Sequence, residues 1–373
     1  MRMHRKHTNR RSRLWWLVLG CVVVGALGNV ALWMYVRSSA PTVAPVAETQ
    51  PALGISTGDT LPFLAPAELA KRLDDMASLH VQWIRMDFAW SEVQPTSSRA
   101  YDWANIDRVV AAATTRHIQV LPVLAYSPAW ARGANCTTEK CAPADPAAFA
   151  AFAVQAAARY APQGVNAWEI WNEPNAKDFW QPYPSASDYA SLLHVTHAAL
   201  RSVDPTATII IGGLAPGQAA IGAIAPTEFL SQLYEADAKD SFEAVGFHPY
   251  SYPQLPSQYA DSSAWSQMAS TTPSLRSIMV AHEDGDKKIW LTEFGAPTGG
   301  PDGVTEIAQA TMLADAVSLA RGYAWAGPFM WYSYQDLGIS PSTSENFFGI
   351  RRHDGTLKPV YTTLKSLLAR PAL

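Results

Sequence analysis

The sequence predicts a (β/α)8 barrel preceded by a single apolar segment long enough to cross a membrane. Three observations lead there. From residue 53 onward, eight short β-branched or apolar runs alternate with Ala- and Leu-rich stretches of helical period. Polar and aromatic clusters stand at the carboxyl ends of several of those runs. A basic, then apolar, then Pro-rich stretch fills the first 52 residues. Eight strand–helix units over ~320 residues fit a closed parallel barrel. The alternative, a doubly wound open sheet, would usually carry a glycine-rich phosphate loop after its first strand, and that fingerprint is absent.

Residues 1–13 form a basic tail, expected on the cytoplasmic side. Residues 14–36 are an apolar run broken only by Asn29 and small glycines. As a helix at ~1.5 Å per residue it reaches ~35 Å, against a bilayer core of ~30 Å. Trp15, Trp16, Trp33 and Tyr35 lie near its ends, where such rings favour the lipid–water interface. Six of the seven bases in residues 1–47 precede the run, so the amino terminus is expected inside and the remainder outside. The competing reading is secretion after cleavage of a signal peptide near Ala44 or Ala47. The apolar core of such a peptide is usually ~7–15 residues, shorter than this one. Residues 37–52, rich in Pro, Ala, Ser and Thr, read as a tether. Residues 53–373 are the expected catalytic domain. Localisation follows as a single-pass plasma-membrane protein with that domain extracytoplasmic.

Net charge is −4, but residues 1–47 hold seven bases and no acid. The remaining 21 of the 28 Lys and Arg face all 32 Asp and Glu, a net of −11. A domain of that sign is a poor grip for nucleic acid, which needs clustered cations. Cys21 lies in the apolar run. Cys136 and Cys141 flank a short polar loop and form a disulfide candidate in an oxidising compartment. Zinc would need more ligands than that loop offers, so no metal is expected.

The strands are expected at Leu53–Ser56, Gln82–Ala89, Gln119–Ala125, Asn166–Asn172, Thr208–Gly212, Ala244–Tyr250, Lys288–Phe294 and Pro328–Tyr334. The helices are expected at 66–80, 103–117, 146–160, 186–203, 226–238, 272–283, 304–324 and 357–370. Asp145-Pro146 is a helix start, with Asp as N-cap and Pro in the first turn; Asp204-Pro205 is a helix stop.

Chemistry in such a barrel sits at the carboxyl ends of the strands. The fourth strand ends Trp168-Glu169-Ile170-Trp171-Asn172-Glu173-Pro174-Asn175, and the seventh ends Thr292-Glu293-Phe294-Gly295. These strands lie across the barrel from each other. Two carboxylates facing over the barrel mouth are what glycoside hydrolysis requires, one as proton donor and one as nucleophile. Strict alternation gives Glu169 the opposite orientation, toward a barrel–helix contact. Arg85 on the second strand is placed to hold the nucleophile ionised, and Asp87 to pack the base of the site. His248 and Tyr250 end the sixth strand, Tyr126 and Trp130 follow the third, and Trp331 on the eighth is placed to floor a sugar subsite. The loop aromatics Trp180, Tyr183, Tyr252 and Trp265 are further platform candidates, and Asp336 with the segment 338–349 reads as a loop over the cleft. His194 and His197, three apart on a helix, read as helix surface rather than metal ligands.

Trp-Asn-Glu-Pro-Asn on strand four, Thr-Glu-Phe-Gly on strand seven, His-Pro-Tyr on strand six, an Arg on strand two and a Trp on strand eight resemble clan A of the glycoside hydrolases. The resemblance covers nearly everything from residue 53 to the end, and is nearest to family 39 and the cellulase-like proteins of family 5. It implies a retaining double displacement with Glu173 as acid/base and Glu293 as nucleophile. It also implies Asn172 on the sugar 2-hydroxyl, with Arg85, His248, Tyr250 and Trp331 in support. The substrate implied is a poly- or oligosaccharide with a β-D-pyranoside or equivalent linkage, and no cofactor is implied. Strand three departs from the pattern: several family 5 enzymes carry a His there, whereas this chain has Tyr126 and Trp130 nearby. A transglycosylase would use the same residues. A membrane-anchored, catalytically silent sugar-binding protein is the reading from another class; it normally lacks a carboxylate that is present here.

Overall fold

The computed structural model describes residues 51–217, 222–258 and 263–369. The basic tail, the apolar segment 14–36 and nearly all of the expected tether lie outside the described residues. Among those described, no helix is long and apolar enough to cross a membrane.

Eight parallel strands close into a barrel in sequence order: β1 Leu53–Ser56, β2 Trp83–Ala89, β3 Gln119–Ala125, β4 Ala167–Ile170, β5 Thr208–Leu214, β6 Ala244–Phe247, β7 Lys288–Phe294 and β8 Ala326–Tyr332. Closure is made by β1 against β8, with Leu53 opposite Phe329 and Ser56 opposite Tyr332. The outer helices are α1 Pro66–Ser78, α2 Ala104–Thr114, α3 Pro146–Tyr160, α4 Ala186–Val203, α5 Pro226–Glu235, α6 Leu275–Ala281, α7 Glu306–Arg321 and α8 Pro359–Leu368. Local signals explain their starts. The side chain of Asp145 accepts from Ala147 N at 2.9 Å, ahead of Pro146 in the first turn of α3. Ser274 and Ser277 form a reciprocal capping box at α6, which starts later than the sequence reading because the box fixes its first turn.

The core has two parts. The larger lies between strands and helices. The smaller lies inside the barrel and takes one residue from each of β2 to β8, with Trp83, Leu121, Ile210, Trp290 and Met330 as its bulk. Trp83 and Trp290 meet edge to face at 5.4 Å. Such a filled interior is a packed plug and not a pore, so the usable opening is at the carboxyl ends of the strands.

Two strands end earlier than alternation suggested. β4 stops at Ile170 because Trp171 and Glu173 take left-handed backbone, φ 70° and 45°, which cannot continue a ladder. β6 stops at Phe247, close ahead of Pro249, which has no N–H to give. β8 sits two residues earlier than expected, its ladder to β7 opening with Ala326 opposite Ile289.

Candidate active site

The site is built on one buried guanidinium. Arg85, 1% exposed, projects from β2 toward β4. Its Nε and Nη2 bind the two oxygens of Glu169 at 2.7 and 2.9 Å. Nη2 also reaches Oδ1 of Asn172 at 2.8 Å, and Nη1 reaches Ser56 Oγ at 3.3 Å and pairs with Oε1 of Glu293. Glu169 is wholly buried and takes a further bond from Gly213 N at 2.7 Å. Isolated charges at this depth would be prohibitive; two carboxylates around one bidentate Arg make them tolerable.

This corrects the sequence reading of Glu169 as a barrel–helix contact. Along β4, Ala167 belongs to the inner cluster while Trp168 and Ile170 pack in the outer one, so Glu169 points inward with Ala167. Left-handed Trp171 then resets the alternation, which lets Asn172 and Glu173 also reach the barrel mouth. Trp171 is held by Nε1 donating to Phe179 O at 2.7 Å and by an edge contact with Trp180 at 5.3 Å. Asn175 pins the following loop to the end of β5, exchanging bonds with Ala215 O at 3.0 Å and Ala215 N at 2.8 Å. Left-handed non-glycine residues cost on the order of 1–3 kcal/mol each and persist where surroundings over-determine them; here those surroundings are aromatic packing and the Asn175 bonds.

His248, wholly buried after β6, stands between the two carboxylates. Its Nδ1 is 2.8 Å from Oε1 of Glu173 and 3.7 Å from Oε2 of Glu293. The facing oxygens are therefore no further apart than the sum of those contacts. The imidazole fits because Gly213 leaves it room: a Cβ there would lie 2.0 Å from Nε2. Tyr250 donates to Oε2 of Glu293 at 2.9 Å, and Ser56 approaches Oε1 at 3.4 Å. Burial alone would raise the Glu293 carboxyl. The charges of His248 and Arg85, with hydrogen bonds from Tyr250 and Arg85, outweigh it and hold the group below the ordinary carboxylate range. Asp87, half-buried beside them, goes the other way: burial pushes it up to about 7, Arg85 opposing and Glu293 adding. Burial also pushes the hydroxyls of Tyr126 and Tyr250 well up, so both remain neutral.

These groups meet at a cavity of about 870 Å³ whose walls include Tyr126, Asn172, Glu173, Tyr250 and Glu293. Arg85 and His248 lie beneath it. Two expected members are elsewhere. Trp331 is wholly buried, near Phe294 at 5.9 Å, because Met330 is the inward residue of β8; the cavity wall takes Tyr332, one place on. Trp130 packs edge-on to Trp90 at 5.3 Å and donates to Gln94 O at 2.7 Å, and it is not among the residues that line the cavity. Trp180 and Trp265 are core, whereas Tyr252 lines the cavity. His194 bonds Ser241 and Ala236, and His197 bonds Glu243, so the two serve separate packing contacts.

Cys136 and Cys141 are joined in a disulfide that closes the loop after β3. The neighbours of Cys141 on that loop, Glu139 and Lys140, line the cavity, and the Lys140 ammonium sits 4.0 Å above the Phe179 ring. Phe63, Phe179 and Tyr332 are wall residues the sequence reading missed, whereas Glu345 and Phe348 belong to the segment 338–349 expected over the cleft. The parity of β8 signals Tyr332 once Met330 is known to face inward. Phe63 and Phe179 carry no signal in the sequence beyond being loop aromatics.

A (β/α)8 barrel with carboxylates at the ends of its fourth and seventh strands defines a class, clan A of the glycoside hydrolases. The chain belongs within it to the Cellulase family, glycosyl hydrolase family 5, whose pattern matches residues 47–332 and so takes in both Glu173 and Glu293. No curated protein matches the chain in sequence. Similar solved structures share its fold. A family 39 glycoside hydrolase from Bacteroides cellulosilyticus is 24% identical with a TM-score of 0.67, over 87% of this chain and 64% of its own. A family 39 β-xylosidase from Caulobacter crescentus is 19% identical with a TM-score of 0.65, over 86% and 72%. The GH5_18 protein from Streptomyces cattleya, solved with GlcNAc, is 15% identical with a TM-score of 0.65, over 86% and 80%. The chain thus spans just under two thirds of the Bacteroides protein.

Proposed function

We propose that this protein is a retaining glycoside hydrolase that cleaves O-glycosidic bonds of a poly- or oligosaccharide by double displacement. Glu293 is the nucleophile and Glu173 the acid/base. The observation that carries this is the pair of carboxylates on one imidazole nitrogen, at 2.8 and 3.7 Å. Their sum stands at the bottom edge of the ~6.5–9.5 Å that inversion uses and leaves room for the ~5–5.5 Å of retention. Any separation below that bound leaves too little room for a water placed for direct attack.

The roles follow from the surroundings. Glu293 is held ionised by Arg85, His248 and Tyr250, as a nucleophile must be. Glu173 sits on the opposite wall, where it protonates the departing oxygen and later takes a proton from the water that releases the covalent sugar. Asn172, oriented by Arg85 at 2.8 Å, is free to donate its amide hydrogens to the sugar 2-hydroxyl. Tyr252, Phe179 and Phe348 offer ring surface to C–H faces of the sugar. Among the described residues, six carboxyl groups besides the pair line the cavity, with Lys140 as the one cation beside them. A field of that sign favours uncharged sugars over uronic acids.

The basic tail followed by the apolar run 14–36 supports a single-pass anchor with the barrel outside the cell. The Cys136–Cys141 disulfide agrees with an oxidising compartment. The enzyme accordingly acts at the cell surface.

Glu173→Gln tests the assignment. Turnover of glycosides with poor leaving groups is expected to fall by ~10²–10⁴, the usual worth of a positioned acid, while glycosylation by activated aryl glycosides stays near the wild-type rate. Equal losses on both substrates would remove Glu173 from the acid role.

A further inference from the structure

The loop between β8 and α8 is fastened by one buried ammonium. Lys358, 2% exposed, donates from Nζ to Asp336 Oδ1 at 2.7 Å, to Thr298 Oγ1 at 2.7 Å and to Phe347 O at 3.0 Å. Asp336 opens the loop, Phe347 is its tip and Lys358 closes it, while Thr298 belongs to the loop that follows β7. Two more bonds complete the joint: Gly349 N to Asp336 Oδ1 at 2.9 Å, and Thr298 N to Phe347 O at 3.0 Å. A buried ion pair of this kind is weak evidence for stability, since apolar side chains of similar volume often do as well. Its three directed bonds do, however, fix where the tip lies.

The residues on either side of that tip matter to the cleft. Glu345 and Phe348 both line the cavity. Phe348 packs on Tyr250 at 6.0 Å and on Tyr332 at 5.5 Å. Glu345 accepts a hydrogen bond from the Tyr332 hydroxyl and has no cation bonded to it among the described residues. A solvent-exposed carboxylate with one neutral donor keeps acceptor capacity in hand, and the donors that a sugar brings are vicinal hydroxyls.

We propose that Glu345 contacts the substrate, accepting hydrogen bonds from sugar hydroxyls beside Glu173 and Glu293, and that Lys358 is the positioning residue that holds it there. This rests on the glycosidase reading above. Lys358 touches no substrate; it acts through the loop tip.

The test uses the full chain and four variants: Glu345→Ala, Lys358→Met, the two combined, and Asp336→Asn/Lys358→Met, which removes both buried charges and guards against misfolding. Kinetics are read on 4-nitrophenyl β-glucoside, β-xyloside, β-mannoside and β-galactoside, and amide hydrogen exchange on residues 337–349. Glu345→Ala and Lys358→Met are each expected to raise KM about tenfold with kcat little changed, the size of one lost bond to a charged group. The combined variant is expected to be no worse than the poorer single one, as for residues acting through one contact. Exchange at 344–349 is expected to rise in both Lys358 variants and not in Glu345→Ala.

A fall in kcat at unchanged KM in Lys358→Met would mark mere loss of folded protein and overturn the positioning role. Additive effects, or unaltered exchange in both Lys358 variants, would overturn it too. A normal KM in Glu345→Ala would overturn the contact. If the wild type turns over none of the four glycosides and no polysaccharide, the glycosidase reading and the Glu345 contact fall together. The exchange data then still decide whether Lys358 holds the loop.

Discussion

Replacing Tyr250 with Phe deletes one hydroxyl, the donor 2.9 Å from Oε2 of Glu293, and leaves the ring packed on Phe294 and Phe348. A hydrogen bond to a charged group is worth ~1.5–3 kcal/mol. Losing a bond made to the ionised form therefore raises the Glu293 pKa. Arg85 and His248 remain, so the group still ionises at neutral pH. The acid limb of kcat/KM is therefore expected to move to higher pH, with the rate falling more on the acid side of the profile than at neutrality. Stability carries the same sign. The folded pKa of Glu293 lies below its unfolded value, so this carboxylate contributes stability above the unfolded value and loses it as pH falls through the folded one. Tyr250→Phe should thus be less stable than wild type near neutral pH, with the gap closing in acid. Initial rates on an activated aryl glycoside from pH 4 to 8, with melting temperatures over the same range, are the assay. An unmoved acid limb would refute the view that Tyr250 keeps Glu293 ionised.

Asp87 gives the opposite pH dependence. Its folded pKa of about 7 lies above the ordinary 3.8, so the folded state holds the proton more tightly. Its contribution is present below the unfolded value and lost as pH rises through about 7. The melting temperature of wild type is expected to decline relative to Asp87→Asn between pH 4 and 7.5, and parallel curves would contradict the burial argument. Gly213→Ala places a Cβ 2.0 Å from His248 Nε2 and 2.6 Å from Thr292 Oγ1. Overpacking of this kind costs ~1–3 kcal/mol and here must tilt the imidazole. Activity is expected to fall well beyond the loss in stability, and a variant of normal activity would show that the position of His248 does not matter.

Much of the barrel was legible because strand and helix alternate with clear periods and clear punctuation. β1, β3 and β7 stand where the apolar runs lie, and α3 and α4 run between their caps as read. The positions of Glu173 and Glu293 at strand ends were legible for the same reason. Side-chain parity was the part that failed. Two-residue alternation cannot foresee that Trp171 and Glu173 adopt left-handed backbone, and so it could not bring Glu169 and Asn172 to the same guanidinium. It put Trp331 in the cleft where Tyr332 stands, because the inward phase of β8 is set by Met330 in the barrel plug, a tertiary fact. The segment 338–349 was legible as a loop over the cleft, but not Glu345 as the residue in it that faces the cavity, since its place depends on Lys358 bonding across more than one loop.

The central claim is that Glu293 attacks the sugar and carries it covalently. The direct measurement is peptide mass spectrometry of the protein after exposure to a panel of 2-deoxy-2-fluoro glycosides, whose fluorine slows release of the intermediate. A single stable adduct on the peptide that contains Glu293, absent from Glu293→Ala, is the expected result, and the sugar that forms it names the substrate. An adduct on a peptide lacking Glu293, or turnover of the natural glycoside with inversion and no adduct from any sugar, would contradict it.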